Sequence, residues 1–385
     1  MDHQLKDWHL NNNINTNKPA SSGSVDTIVD TIIDPITNKN AQIFTDTDNI
    51  KNISSGILKL TPHMQETLWG GDFFAQLYNL SPGSKIGETW ELYSLTSMNL
   101  ESSYLIKYLD ANLNLSVQVH PDDFWSRRHG QKYGQKYGQK NNTGKSECWI
   151  ILNAEKGSGL YLGLKDHITF EEFEMACRNE EEEKEEKKEK SSNLHQFLNF
   201  IPVKQNDFLM IPAGLIHAIG EGVRLLEIQQ NSNITYRIWD WNRLDKNGMK
   251  RELHLNQALE VISSSMHLNY LDGILKYQDI FNTPSTFSTT QTKQAKLLIE
   301  HADFSVYTLK LNKGESYQLS LESPLRPATL LCLQGEINIF RGRDEIKISS
   351  YETAFLPHNS TNNILHSLIE IVCESNTAAD IVIVL

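Results

Sequence analysis

From Ile57 onward the chain alternates short apolar runs with clusters of Gly, Pro, Asn and Asp, the pattern of many short strands joined by tight turns. Residues 92–95, 115–119, 148–152, 208–211, 223–228 and 234–239 all read as strands, which predicts an antiparallel β-sandwich or barrel. After Trp241 a polar turn region covers 242–251. Leu255, Ala258, Leu259 and Ile262 then recur at helical spacing and predict a helix over 254–262. A weakly structured connection over 263–303 leads to a second series of strands at 304–311, 317–321, 328–333, 337–340, 365–371 and 381–385. The chain is therefore read as mainly β, with two β-domains, 57–262 and a smaller one over 304–385, and a few short helices.

Two insertions interrupt the first series. Residues 130–140 read GQKYGQKYGQK, a tandem repeat without a hydrophobic face, expected to be a flexible basic loop within an insert spanning 127–145. The second insert, 166–200, begins with a helix-like stretch carrying Phe170, Phe173 and Ala176, with a cap expected in 166–169. It continues into EEEEKEEKKEK, a run that reads as a solvated helix or spacer. Residues 1–56 are rich in Asn, Thr, Asp and Ser and read as a disordered polar tail, with neither the apolar core of a secretory signal nor the Arg of a transit peptide.

Composition narrows the partners. The 385 residues carry 36 basic and 48 acidic groups, a formal charge of -12, which disfavours a surface built to grip nucleic acid or an anionic membrane. The charge is unevenly spread. Residues 1–56 hold seven Asp against four Lys, and 166–200 hold eleven acidic against five basic groups, whereas 127–145 hold six basic groups and no acidic one. A small anionic ligand near that last segment is compatible with an acidic chain. Four cysteines without CxxC spacing point to a reducing compartment, the cytoplasm, and to neither a disulfide framework nor a cysteine zinc site.

The candidate chemistry lies in the first series. Gln118 and His120 are two apart on an expected strand and so share a face. A single histidine there is ordinarily a hydrogen-bonded core residue. Its company changes the reading: Glu147 opens another strand, and His217 follows the turn Pro212-Ala213-Gly214-Leu215-Ile216. Two imidazoles, a carboxylate and an amide oxygen suit zinc or iron with an open position.

The PxGxxH element at 212–217 resembles the second motif of the cupin superfamily. QxH at 118–120 stands where the first motif usually has HxH, with its Glu 27 residues on. Gln118-Val119-His120-Pro121-Asp122-Asp123, Gly144-Lys145-Ser146-Glu147-Cys148-Trp149, the stretch 212–220, and Gln229-Gln230-Asn231-Ser232 through Thr235-Tyr236-Arg237 together resemble the type I mannose-6-phosphate isomerase family, in its short bacterial-type class. Trp69-Gly70-Gly71, Ile86-Gly87-Glu88-Thr89-Trp90 and Arg251-Glu252-Leu253-His254-Leu255 fit in the same order. The resemblance covers 58–262 well and the C-terminal domain loosely.

The resemblance implies two cupin-like jelly-roll domains and a zinc-dependent aldose–ketose isomerase acting on mannose 6-phosphate and fructose 6-phosphate, with one Zn2+ per subunit. His120, Glu147 and His217 would ligate the metal, and Gln118 matches an additional ligand of longer members, its role here left open. Arg237 matches the catalytic arginine. Lys107 and Lys145 match lysines near the substrate, with Lys145 and Arg237 in contact with it. The general base stays open among Lys107, Lys145, Glu227 and a zinc-bound water. Lys145, the lysines of the repeat, or Arg127 and Arg128 are expected to supply the phosphate's basic surroundings. The C-terminal domain has neither HxH nor PxGxxH and is expected to be metal-free, covering the flank of the catalytic barrel. Two other classes compete: a non-catalytic cupin that binds or senses a phosphosugar, and an iron oxygenase, disfavoured by QxH and by the lysine-rich neighbourhood.

Overall fold

A computed structural model of the chain describes residues 56–385 except 99, 134–142, 186–192, 246, 271–275, 283–294, 322–326 and 358–367. The expected N-terminal tail and most of the GQKY repeat lie outside the described residues.

The chain is mainly β, as expected, and its strands pair antiparallel in four sheets. One barrel closes a seven-stranded sheet, in the order Lys276–Tyr277, Phe208–Ile211, Glu147–Ala154, Val223–Gln230, Tyr104–Ala111, His63–Gly71 and Ile86–Trp90, over a five-stranded one. The smaller sheet runs Tyr236–Trp239, Val117–Val119, His217–Ile219, Gly159–Leu164 and Leu198–Pro202. Inward side chains from both sheets meet in the lumen: Trp149, Ile151, Leu209 and Leu225 from one, Leu160, Leu162 and Ile219 from the other.

Each sheet also buries its outer face. Val117, Val119, Ile216 and Ala218, which alternate with the inward Gln118 and His217, are covered by Phe173 and Cys177 of the helix Phe170–Glu185 and by Ala258, Leu259 and Ile262 of the helix Leu255–Ser264. Thr169 and Glu172 start the first of these helices as a capping box. The Glu172 backbone N–H donates to Thr169 Oγ1 at 3.2 Å, and the Thr169 N–H donates to the Glu172 carboxylate at 2.9 Å.

The second barrel faces a six-stranded sheet, ordered Leu58–Leu60, Glu352–Leu356, Ala328–Gln334, Ala379–Val384, Ser305–Leu311 and Ala295–Glu300, against a four-stranded one of Ser316–Ser320, Leu368–Val372, Glu336–Arg341 and Asp344–Ser349. The outer face of the seven-stranded sheet packs on it: Tyr104, Ile106, Tyr108, Ile150 and Ile228 meet Phe304, Val306, Phe355 and Val384. This sheet-on-sheet contact explains why 148–152 is a continuous apolar run, since that strand is buried on both sides.

Some elements differ from expectation. Residues 92–95 are not a strand: Leu92 lies in a turn and 93–95 open the 3-10 turn Tyr93–Met98. Leu92 and Leu95 are both buried, at the three-residue spacing of a helical turn, and so short a run carries no period that separates the two. The first strand, Leu58–Leu60, pairs with Glu352–Leu356 in the C-terminal barrel. The stretch 263–303 contributes the turn Met266–Asn269, the edge strand Lys276–Tyr277 and the strand Ala295–Glu300. A helix, Asp123–Tyr133, runs into the start of the GQKY repeat. No helix among the described residues is long and apolar enough to cross a membrane.

Candidate metal centre

Sheet register assembles the site. In the five-stranded sheet Arg237, Gln118 and His217 stand opposite one another on three adjacent strands. In the facing sheet Trp90, Lys107, Glu227 and Trp149 form a row across four strands, and Gln229 stands opposite Glu147 in a neighbouring row. Directly paired residues project to the same face, so both rows enter the lumen.

His120, Glu147 and His217 converge there, all buried, with one ligand atom from each lying within 4.8 Å of the others. Glu147 Oε2 is 3.5 Å from His120 Nε2, and Glu147 Oε1 is 3.6 Å from His217 Nε2. The other ring nitrogens fix the tautomers. His120 Nδ1 lies 2.7 Å from the Ile234 carbonyl and His217 Nδ1 2.9 Å from that of Leu215. A carbonyl only accepts, so each Nδ1 carries the proton and each Nε2 turns a lone pair inward. Burial keeps both rings neutral, holding His120 well below the usual imidazole range and His217 at about 4. Glu147 Oε1 is buried and makes no hydrogen bond. Two inward lone pairs and an orphaned carboxylate oxygen suit a divalent cation, and a His/Glu/His set fits zinc with an open position.

The PxGxxH turn is held from two sides. The Gly214 N–H donates to the His120 carbonyl at 2.8 Å, tying the two histidine segments together. Gly214 has φ +92, and a Cβ there would stand 2.2 Å from Ser265 Oγ, so only glycine fits. Asn269, fully buried, donates from its amide to the Gly214 carbonyl at 2.8 Å and accepts from the Ile216 N–H at 2.7 Å. Asn269 lies in the stretch read as a weak connection. Its sequence signal is no more than a single asparagine between Leu268 and Tyr270.

Of the other expected residues, Lys145 is brought fully into the cluster. Its ammonium pairs with Glu147, donates to His120 Nε2 at 3.2 Å and lies 3.6 Å from Glu227 Oε1. Burial pulls this ammonium down, but Glu147 and Glu227 outweigh it and hold Lys145 above the usual lysine value. Lys107 stands on the far side of Glu227, 4.0 Å from its Oε1 and 3.6 Å from Glu88 Oε2. Glu227 is raised by burial and then by the Glu147 charge, with Lys145 and Lys107 acting in opposition, and Trp149 Nε1 donates to it at 3.2 Å. Gln118 turns its amide nitrogen to His217 Nε2 at 3.3 Å and its oxygen to Ser116 Oγ at 3.1 Å. Arg237 donates to Ser116 Oγ at 3.3 Å and to the Glu252 carbonyl at 2.8 Å, and burial lowers it to about 10. Ser116 thus links Arg237 to Gln118.

Arg128 lies elsewhere. It lines a cavity of about 790 Å³ with Asp122, Glu174, Arg178 and Asn256, among the helices outside the smaller sheet, and no residue of the triad borders it. Lys136 and Lys140 of the repeat lie outside the described residues. Among the polar and aromatic lumen residues, motif reading assigned no role to Trp149, Gln229, Glu88 and Trp90. The alternation of Glu88 with Trp90 on one strand is the signal that could have found the last two.

The chain is 32% identical over 236 residues to the probable mannose-6-phosphate isomerase GmuF of Bacillus subtilis, a match covering 54% of this chain and 68% of that one. It is 27% identical over 331 residues to the mannose-6-phosphate isomerase of Streptococcus mutans, covering 78% and 92%. Among solved structures, the mannose 6-phosphate isomerase from Bacillus subtilis aligns with a TM-score of 0.61 at 23% identity over 84% of this chain and 98% of that one. The apo form from Salmonella typhimurium aligns with a TM-score of 0.62 at 15% identity over 85% and 99%. No protein-family model matches the chain. The two-barrel fold is thus shared with these isomerases, and the chain belongs to the mannose-6-phosphate isomerase family.

Proposed function

We propose that this protein is a zinc-dependent isomerase that interconverts D-mannose 6-phosphate and D-fructose 6-phosphate through an enediol, working in the cytoplasm, which its four free, buried cysteines suit. The observation that carries the reading is the buried convergence of His120, Glu147 and His217 beside Lys145 and Glu227, in a chain of this family. His120, Glu147 and His217 would hold zinc, which would supply a Lewis acid for the sugar's carbonyl and hydroxyl oxygens.

The remaining chemistry belongs to side chains. A proton leaves C2 of the aldose, its electron pair forms the C1–C2 double bond, and the carbonyl π pair moves onto O1, which takes a proton to complete the enediol. The O2 proton then leaves, the C2–O2 carbonyl forms, and the C1–C2 π pair takes a proton at C1 to give the ketose. Glu227 takes the role of proton carrier, because burial raises its carboxyl and makes it a better base than an exposed glutamate. Lys145, kept charged by its two carboxylate neighbours, faces the oxygen on which negative charge develops. Lys107 and Arg237 hold the substrate, Lys107 from the larger sheet and Arg237 from the smaller. The phosphate is assigned to the cationic side chains of the lumen, not to Arg128, which faces a different cavity.

The test is turnover of zinc-loaded protein in an assay coupled to fructose 6-phosphate formation. Production of fructose 6-phosphate from mannose 6-phosphate supports the reading, and a metal-loaded protein that binds the sugar phosphate without converting it makes the chain a binding cupin instead.

A further inference from the structure

Lys107 Nζ lies 4.5 Å from the centroid of the Trp90 ring, and the two residues stand directly opposite each other on adjacent strands. The same indole donates its Nε1–H to Glu88 Oε2 at 2.8 Å, and that oxygen lies 3.6 Å from Lys107 Nζ. One side chain therefore restrains the lysine twice, by offering its π face to the ammonium and by aiming the ammonium's counter-ion. Asn233 Oδ1 accepts from Lys107 Nζ at 3.3 Å, and Glu227 closes the remaining side at 4.0 Å. A lysine has many rotamers, and a substrate-facing one loses rate when it wanders, because small misplacements at a reacting centre are costly.

We propose that Trp90 is a positioning residue that, together with the Glu88 carboxylate it orients, holds Lys107 in its working place in the lumen. This inference rests on the isomerase reading and adds a role for a residue that touches neither metal ligand nor proton carrier. Trp90 acts through Lys107, so its effect disappears when the lysine's charge is gone.

The experiment is a double-mutant cycle on the zinc-loaded enzyme, with kcat and KM measured separately for the parent, Trp90→Leu, Trp90→Phe, Lys107→Met and Trp90→Leu/Lys107→Met. Trp90→Leu is expected to lower kcat/KM about tenfold, in line with a partly desolvated cation–π contact. The loss is expected to fall on the same constant, kcat or KM, that Lys107→Met affects. Trp90→Phe, which keeps the ring face and loses the N–H, is expected to recover most of it. In the Lys107→Met background the Trp90→Leu change is expected to cost nothing further, the mark of two residues acting as a unit. Zinc content and melting temperature of each variant accompany the kinetics. Additive losses in an active parent, or a Trp90→Leu defect matched by lost zinc or a lowered melting temperature, overturn the inference alone. A zinc-loaded parent without turnover overturns the isomerase reading and this inference with it.

Discussion

His217 stands opposite Gln118 in the smaller sheet, its Nε2 3.3 Å from the Gln118 amide nitrogen. Gln118 thus donates to the inward nitrogen of His217, while its oxygen is engaged by Ser116. A metal on that nitrogen takes the same lone pair, so the Gln118 amide gives way when zinc binds, and the outer partner of His217 is the Leu215 carbonyl at Nδ1. Gln118→Ala is therefore expected to leave stoichiometric zinc in place. His217→Ala or His120→Ala is expected to abolish stoichiometric zinc at micromolar concentrations. Competition with a chelator, read as zinc per chain, separates the two outcomes.

Removing the proposed proton carrier leaves the metal in place. Glu227→Gln keeps the shape and the bond from Trp149 but not the basicity, and kcat is expected to fall about a hundredfold or more with zinc content unchanged. A variant that retains parental kcat would return the role to Lys107, Lys145 or a metal-bound water.

Gly214 is argued from backbone geometry. At φ +92, with Ser265 Oγ 2.2 Å from where a Cβ would stand, Gly214→Ala strains the turn and displaces the chain that carries His217. The expected cost is about 1–3 kcal/mol of stability, together with reduced zinc occupancy. Denaturant unfolding with and without zinc is the check. A larger deficit in the presence of zinc than in its absence locates the strain in the site.

Glu91 links pH to stability at the contact between the two barrels. It is almost wholly buried just past the strand Ile86–Trp90, accepts from Thr89 Oγ1 at 2.7 Å in that strand and from Thr353 Oγ1 at 2.6 Å in the C-terminal barrel, and burial pushes its carboxyl up to about 7. Between an ordinary value near 4.5 and about 7 the folded chain keeps a proton that the unfolded chain has released. Stability from this group is therefore complete below pH 4.5 and is lost as pH rises toward and through 7, by about 3 kcal/mol in all. Glu91→Gln removes that slope. Urea unfolding from pH 5 to 8 should show the variant gaining on the parent as pH rises, and parallel curves would show that Glu91 does not bind this proton.

Much of the first barrel is legible in the residues, and for definite reasons. Glu147–Ala154 announces itself because one face lines the lumen and the other packs on the second barrel, leaving six buried positions in a row. The triad is legible because Pro212, Gly214 and His217 must sit at fixed offsets to make a turn whose histidine faces inward. Tyr104–Ala111 is harder, since Lys107 and Asp110 interrupt an apolar run; the family resemblance points to Lys107, and the register with Glu227 and Trp90 puts it on the lumen face. Asn269 could not be read at all. Its partners at Gly214 and Ile216 are more than fifty residues away, and no local pattern marks a side chain that closes a distant turn.

The most direct test of the account follows zinc and turnover together in one preparation. Mannose 6-phosphate isomerisation is measured as zinc is stripped by a chelator and returned, with zinc per chain counted at each point. The account predicts activity that falls with zinc, is restored with it and saturates at one zinc per chain, and that a Glu147→Gln chain neither holds the metal nor turns over. Full activity in the zinc-free protein, or none in a protein carrying one zinc per chain, would contradict it.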